Sequence, residues 1–267
     1  MSDPRSGFYR RVLTSLLDDG LLQREMSVLA VAGGTADSVA FESTGFERVT
    51  ITNLDESQAQ ADLAPYSWAY EDAESLSVPD ESVDLAVVSA GLHHCRSPHR
   101  ALLELYRVSR VAVLAIESRE SALMRLGIKV RAVDDYELAA VAAHGLRAGG
   151  VANSSTPNFI YRWTEREVEK TIASYAPHAR HRIRFFREFE FPDVLASAAS
   201  PTRQLALRLL EPALGIVTRA LPSQANLFAF VIEKPQLPRD LQPWLRLDGG
   251  HPRPDERAIA ARYRIDE

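Results

Sequence analysis

Two adjacent histidines, His93 and His94, follow the apolar run Val83–Ser89 and precede the lone cysteine, Cys95. An imidazole with an ordinary pKa of about 6.5 can take the proton of a hydroxyl near neutral pH. Either histidine is therefore a candidate general base, and His94 is preferred. A zinc site on His93, His94 and Cys95 is not expected, because adjacent residues rarely supply three tetrahedral ligands and no fourth partner stands out. Upstream, Ala32-Gly33-Gly34-Thr35-Ala36-Asp37 follows the apolar run Ser27–Ala32. Glycines let backbone come close to a ligand, and a helix start beyond them offers free N–H donors to a carboxylate or phosphate. The turn does not match GxxxxGK[ST], and it lacks the three glycines of GxGxxG. After the next apolar run, Arg48–Leu54, come Asp55-Glu56-Ser57. A carboxylate at that place can accept both hydroxyls of a ribose.

The elements that must position these residues alternate. Residues 9–22 carry Val12, Leu13, Leu16 and Leu17 at helical spacing, with Gly20 as a stop. Ser27–Ala32, Arg48–Leu54, Val83–Ser89 and Val111–Glu117 read as buried strands, and Pro98–Val108 reads as a helix between the last two. Strand, helix, strand at this spacing predicts a doubly wound α/β sheet that binds ligands at the carboxyl ends of its strands. Thr164–Tyr175 predicts a helix with a capping box on Thr164 and Glu167, and His181–Phe189 and Leu227–Lys234 predict two further strands. Residues 119–163 are mixed and glycine-containing, 193–221 are apolar with interspersed arginines, and the chain beyond Pro235 is Pro-rich and charged.

The 267 residues are 46% hydrophobic and 25% charged, which suits a folded globular chain. A net charge of −5 gives no overall basic field, so no nucleic-acid partner is expected. One cysteine excludes an intrachain disulfide framework. No apolar run reaches the roughly 18 residues of a membrane span, and the start MSDPRSGFYRR lacks a signal-peptide core, so a cytoplasmic location is expected.

From about Ser27 to Ser118 the chain resembles class I S-adenosylmethionine-dependent methyltransferases, in particular a small-molecule branch with a "DAE-x-LPFPD-x-SFD" segment and an "LHH" strand end. Here these are Asp72-Ala73-Glu74-Ser75-Leu76-Ser77-Val78-Pro79-Asp80 and Leu92-His93-His94. The stretches 164–176 and 227–234 resemble that family's penultimate helix and last strand. The resemblance implies a Rossmann-like, mostly parallel sheet of seven strands with a helical cover. It implies S-adenosylmethionine as cofactor, with Ala32, Gly33, Gly34 and Thr35 beneath its methionine part. Asp55 or, equally, Asn53 would hold the ribose. Asp72, Ala73 and Glu74 would hold the adenine. Ser89, Ala90 and Leu92 would line the sulfonium end, and His93 or His94 would face the acceptor.

Departures are also visible. Where the family has an acid and three turn glycines, this chain has Ala30, then Ala32, Gly34 and Ala36. One domain is expected over 1–235, with cover insertions at 119–163 and 193–221, and a C-terminal tail over 236–267. Asp134, Asp135, Tyr136, His144, Asn153, Asn158, Tyr161, Arg162 and Trp163 make a polar–aromatic set suited to a polar small molecule or glycan, methylated on a hydroxyl. The 193–221 stretch is expected to pack on its own domain or form a homodimer interface, with peripheral membrane contact as the alternative. Two rival functions remain. The alanines favour an inactive scaffold, and the incomplete glycine fingerprint weighs against an NAD(P)-dependent oxidoreductase.

Overall fold

The computed structural model describes residues 4–190, 212 and 214–263. Seven strands form one sheet: β1 Ser27–Val31, β2 Arg48–Asn53, β3 Ser67–Tyr70, β4 Val83–Ser89, β5 Ser109–Ser118, β6 Arg182–Glu188 and β7 Leu227–Glu233. Their order is β3-β2-β1-β4-β5-β7-β6. β1 to β5 run parallel, and β7 lies antiparallel to both β5 and β6. This is the expected Rossmann-like sheet. The winding reverses between β1 and β4, which opens a crevice at their carboxyl ends. β3 was not among the expected strands. Its sequence SWAY is short and only half-buried, so it lacks the apolar run that marks the central strands.

Helices α1 Pro4–Asp18, α2 Thr35–Thr44, α3 Pro98–Val108 and α6 Glu165–Tyr175 complete the layers. The alternation of β1 explains why both faces need covering. Val28 and Ala30 pack in one core with Leu13, Leu16, Phe41 and Ile51. Leu29 and Val31 pack in the other with Leu102, Leu105, Trp163, Ile172 and Phe230. A strand buried on both faces reads as a continuous apolar run. The α6 start is the expected capping box: Glu167 donates its N–H to Thr164 Oγ1 at 3.2 Å, and Thr164 N–H reaches Glu167 Oε2 at 2.8 Å.

Between β5 and α6 the chain forms a cover with helices α4 Ala122–Lys129 and α5 Leu138–Ala143. Around α5 two short stretches pair in antiparallel fashion. Tyr136 bridges Phe159, Glu137 N–H reaches the Asn158 carbonyl at 3.0 Å, and Ile160 N–H reaches that of Asp135 at 2.8 Å. Most of the apolar stretch 193–221 lies outside the described residues; 214–220 are helical. The segment after residue 235, expected as a surface tail, is partly anchored. Leu241 is buried and bridges Ala179, and Leu245–Asp248 (β8) pairs with His251–Pro254 (β9). Among the described residues, no helix is long and apolar enough to cross a membrane.

Candidate active site

The crevice at the strand tips contains a cavity of about 260 Å³. Ala32, Ala90 and Gly91 form its floor, and Asn53 and Asp55 come from the tip of β2. Asp72, Ala73 and Glu74 follow β3, His94 stands at one end, and His144, Gly149, Gly150, Ala152 and Asn153 reach in from the cover. Of the residues singled out in the sequence, Gly33, Gly34, Thr35, Ser89, Leu92 and His93 are not on this wall.

The β1 turn is held by backbone. Gly33 N–H bonds the Thr52 carbonyl at 2.9 Å, and Asn53 Nδ2 donates to the Gly33 carbonyl at 2.8 Å. Asn53 Oδ1 in turn accepts Asp55 N–H at 2.9 Å, so both ends of this amide are occupied in shaping the turn. Asp55 Oδ1 accepts Ser57 N–H at 3.0 Å, while Oδ2 meets Gln58 Nε2 only at 3.5 Å. Burial would raise Asp55, but these hydrogen bonds outweigh it and hold the carboxyl below its ordinary value. Ala32 and Ala90 have φ of 52° and 53°, the left-handed region in which a Cβ is strained. Gly91 is required by proximity, since a Cβ there would lie 2.7 Å from that of Ala32. Behind the turn, Asp37 is buried and accepts Gly34 N–H at 3.0 Å. Burial outweighs that bond and pushes its pKa up to about 6.

After β3, Asp72 Oδ1 accepts Glu74 N–H at 2.9 Å. The Glu74 carboxylate accepts the N–H groups of Arg96 and Ser97 at 2.8 and 2.9 Å, so it ties this loop to the start of α3. Ala73 is buried in the second core.

At the other end, Leu92–His94 makes one 3-10 turn beyond β4. Glu117, near the end of β5, is 2% exposed and accepts Leu92 N–H at 2.7 Å with Oε1. Its Oε2 meets His93 Nδ1 at 2.8 Å. His93 Nε2 lies 3.1 Å from Glu137 Oε2, and His94 Nε2 lies 3.3 Å from the same oxygen. Burial alone would depress His93, but the two carboxylates outweigh it and push its pKa up to about 9. Burial and the neighbouring His93 charge push His94 down, leaving its ring neutral. Burial would raise Glu137, yet His93, His94 and Asn158 bring it down to about 2. Burial, with Glu74 nearby, pushes the Cys95 thiol up, away from thiolate chemistry.

Among the described residues, the cavity wall carries four carboxylates, Asp55, Glu71, Asp72 and Glu74, and no lysine or arginine. Such a wall suits a ligand bearing positive charge and opposes one bearing phosphates. Residues 29–114 match the family model described as a methyltransferase domain. Solved structures agree in fold. The YcgJ protein of Bacillus subtilis is 14% identical with a TM-score of 0.52, over 84% of this chain and 98% of that one. A putative methyltransferase of Bacillus halodurans C-125 is 16% identical with a TM-score of 0.52, over 84% and 99%. The magnesium protoporphyrin IX methyltransferase of Synechocystis PCC 6803, with bound S-adenosylhomocysteine, is 13% identical with a TM-score of 0.50, over 86% and 83%. No curated protein matches the chain.

The enzyme is an S-adenosylmethionine-dependent methyltransferase, and its cleft fits that cofactor by charge. Asp72 has one carboxylate oxygen with no hydrogen-bond partner among the described residues, and Asp55 Oδ2 has only the long contact to Gln58 Nε2 at 3.5 Å, so both can accept from a ligand's hydroxyls or amine.

Glu117 and Glu137 were not singled out in the sequence. Glu117 was detectable as an acid closing a buried strand at the ligand edge of the sheet. Glu137 sits in the cover without a motif. Of the polar–aromatic set expected at the acceptor, His144 and Asn153 reach the cleft, and Asn158 donates to Glu137 Oε2 at 3.2 Å. Others are structural: Trp163 is fully buried, Tyr161 donates to Glu167 at 2.9 Å, and Arg162 donates to the Asp134 carbonyl at 2.5 Å.

Proposed function

We propose that this methyltransferase acts on a hydroxyl of a polar small molecule or glycan. S-adenosylmethionine supplies, when bound, a methyl group already activated on a positive sulfur. The chain's own work is then to hold the acceptor and to receive the proton its hydroxyl must lose. The observation that carries this reading is His94 on the cavity wall, its Nε2 3.3 Å from the Glu137 carboxylate, with burial holding its pKa below the ordinary imidazole value. Its Nε2 is the proton acceptor, and Glu137 stabilises the imidazolium that results. His93, charged between Glu117 and Glu137, positions the pair and is not itself a base. At the other end Asp55 holds the ribose and Asp72 the adenine amino group, while Asn53 shapes the turn. Acceptor-side polarity comes from His144 and Asn153 in the cover. A nicotinamide dinucleotide is disfavoured, because its pyrophosphate would face carboxylates with no lysine or arginine among the described residues of the wall.

The test is calorimetry with S-adenosylmethionine and S-adenosylhomocysteine, followed by incubation of methyl-labelled cofactor with a panel of sugars, polyols and phenols. Binding of both compounds and label in an O-methyl product is expected. Binding with no transfer to any hydroxyl would favour the scaffold reading, and label on nitrogen or carbon acceptors alone would overturn the hydroxyl.

A further inference from the structure

We infer that His93, His94 and Glu137 form a binding site for a divalent first-row transition-metal ion at the acceptor end of the cleft. The two Nε2 atoms converge on one oxygen, Glu137 Oε2, at 3.1 and 3.3 Å, and one ligand atom from each residue lies within 4.8 Å of the others. Nitrogen and oxygen ligands sit about 2.0–2.1 Å from such an ion, which puts neighbouring ligands roughly 3 Å apart. The two nitrogen–oxygen spacings already match a coordination shell, and the two nitrogens lie within 4.8 Å of each other.

The surroundings are those of ligand histidines. His93 has its far nitrogen on the buried carboxylate of Glu117, itself fixed by Leu92 N–H. A histidine so held is oriented for a metal and made a better donor to it. A second observation is independent of the histidines. Asn158 is 2% exposed and presses Nδ2 on the same Glu137 oxygen at 3.2 Å, while its own Oδ1 is buried without a hydrogen-bond partner. Three nitrogens thus crowd an oxygen with two lone pairs, and an amide oxygen beside them is unsatisfied. An ion among the three ligand atoms resolves both. The histidine nitrogens become donors to the metal, and the Asn158 amide, turned over, offers Oδ1 as a further oxygen ligand.

Two imidazoles, a carboxylate and an amide oxygen select an ion in the range from Mn²⁺ to Zn²⁺. Cys95 is not part of the set, for its Sγ is directed at the Gly91 carbonyl at 3.6 Å. Because His94 lies on the cavity wall, a remaining coordination position faces the cleft. This rests on the hydroxyl-acceptor reading: there the ion holds the acceptor oxygen and eases release of its proton to water. In the metal-loaded state His94 is a ligand, and water replaces it as proton acceptor.

The test is calorimetric titration of the chelator-treated full chain with Zn²⁺ and with Mn²⁺, and the absorption spectrum with Co²⁺. S-adenosylhomocysteine binding is measured on the same samples. One ion per chain is expected, with a nitrogen–oxygen cobalt spectrum. Glu137→Gln and His94→Ala should abolish it, and Glu117→Gln should weaken it by about 10–100-fold. Asp72→Ala should weaken S-adenosylhomocysteine and leave the ion unaffected. Protein that binds S-adenosylhomocysteine but no ion at millimolar concentration, or equal ion affinity in Glu137→Gln, overturns the metal site and leaves the methyltransferase reading intact. Ion binding without S-adenosylhomocysteine binding would fail the cofactor cleft instead.

Discussion

On the β1–β3 side of the cleft, most polar contacts join residues close in the chain. Asp55 and Asn53 are two apart, Gly34 and Asp37 three, and Asn53 and Gly33 20, while Glu74 reaches Arg96 and Ser97 across 22 and 23. On the β4 side, His93 meets Glu117 across 24 residues and Glu137 across 44. The first half is made of turns whose shape follows from local backbone, with side chains left over for a ligand. The second is a buried charge network assembled from β4, β5 and the cover, in which His93 lies between two carboxylates. A single change on the first side should weaken one contact. On the second it should strand a buried charge.

The sharpest way to separate the halves is His94→Gln. Turnover should fall by about 10²–10⁴-fold, with S-adenosylhomocysteine affinity unchanged by calorimetry. A parallel loss of affinity would mean the two sides are one unit. Next in size is Asp37→Asn. Burial raises the folded Asp37 pKa from 3.8 to about 6, so its contribution to stability is full below the unfolded value and is lost as pH rises through 6. The variant should therefore be more stable than the parent near pH 8, by at most about 3 kcal/mol, and equal to it below about pH 4. Chemical denaturation at the two pH values reads this directly, and a gain independent of pH would deny that Asp37 is charged and buried. Asp72→Ala should weaken S-adenosylhomocysteine by about 1–3 kcal/mol, and no change would move the adenine elsewhere. The smallest effect is expected for Ala32→Gly. Relief of the left-handed alanine, less the entropy of glycine, should stabilise the chain by about 0.5–1 kcal/mol.

The same contrast explains what could be read from the sequence. β1, β2, β4 and β5 announce themselves as apolar runs because helices bury both of their faces, and Thr164 with Glu167 marks α6 by a local hydrogen-bond pattern. Asn53, Asp55 and Asp72 follow from strand ends and so lie in short reach of a readable element. β3 was missed because an edge strand of four half-buried residues needs only β2 to define it. Glu137 was missed because its role depends on a pairing of residues 135–137 with 158–160 that no periodicity signals. Trp163 was placed near the acceptor by its type, but it fills the core between α3, α6 and β7 instead. The adjacent histidines were legible as chemistry, whereas the carboxylates that decide what each can do were not.

Where the tips of β1 and β4 touch, the partition between the two halves is one methyl group thick, that of Ala32 against the bare backbone of Gly91. A methyl added at 91 would press on Ala32 Cβ at 2.7 Å and on Val88 Cγ2 at 2.8 Å, so Gly91→Ala should be harmful and Ala32→Gly should relieve only the part owed to the first contact.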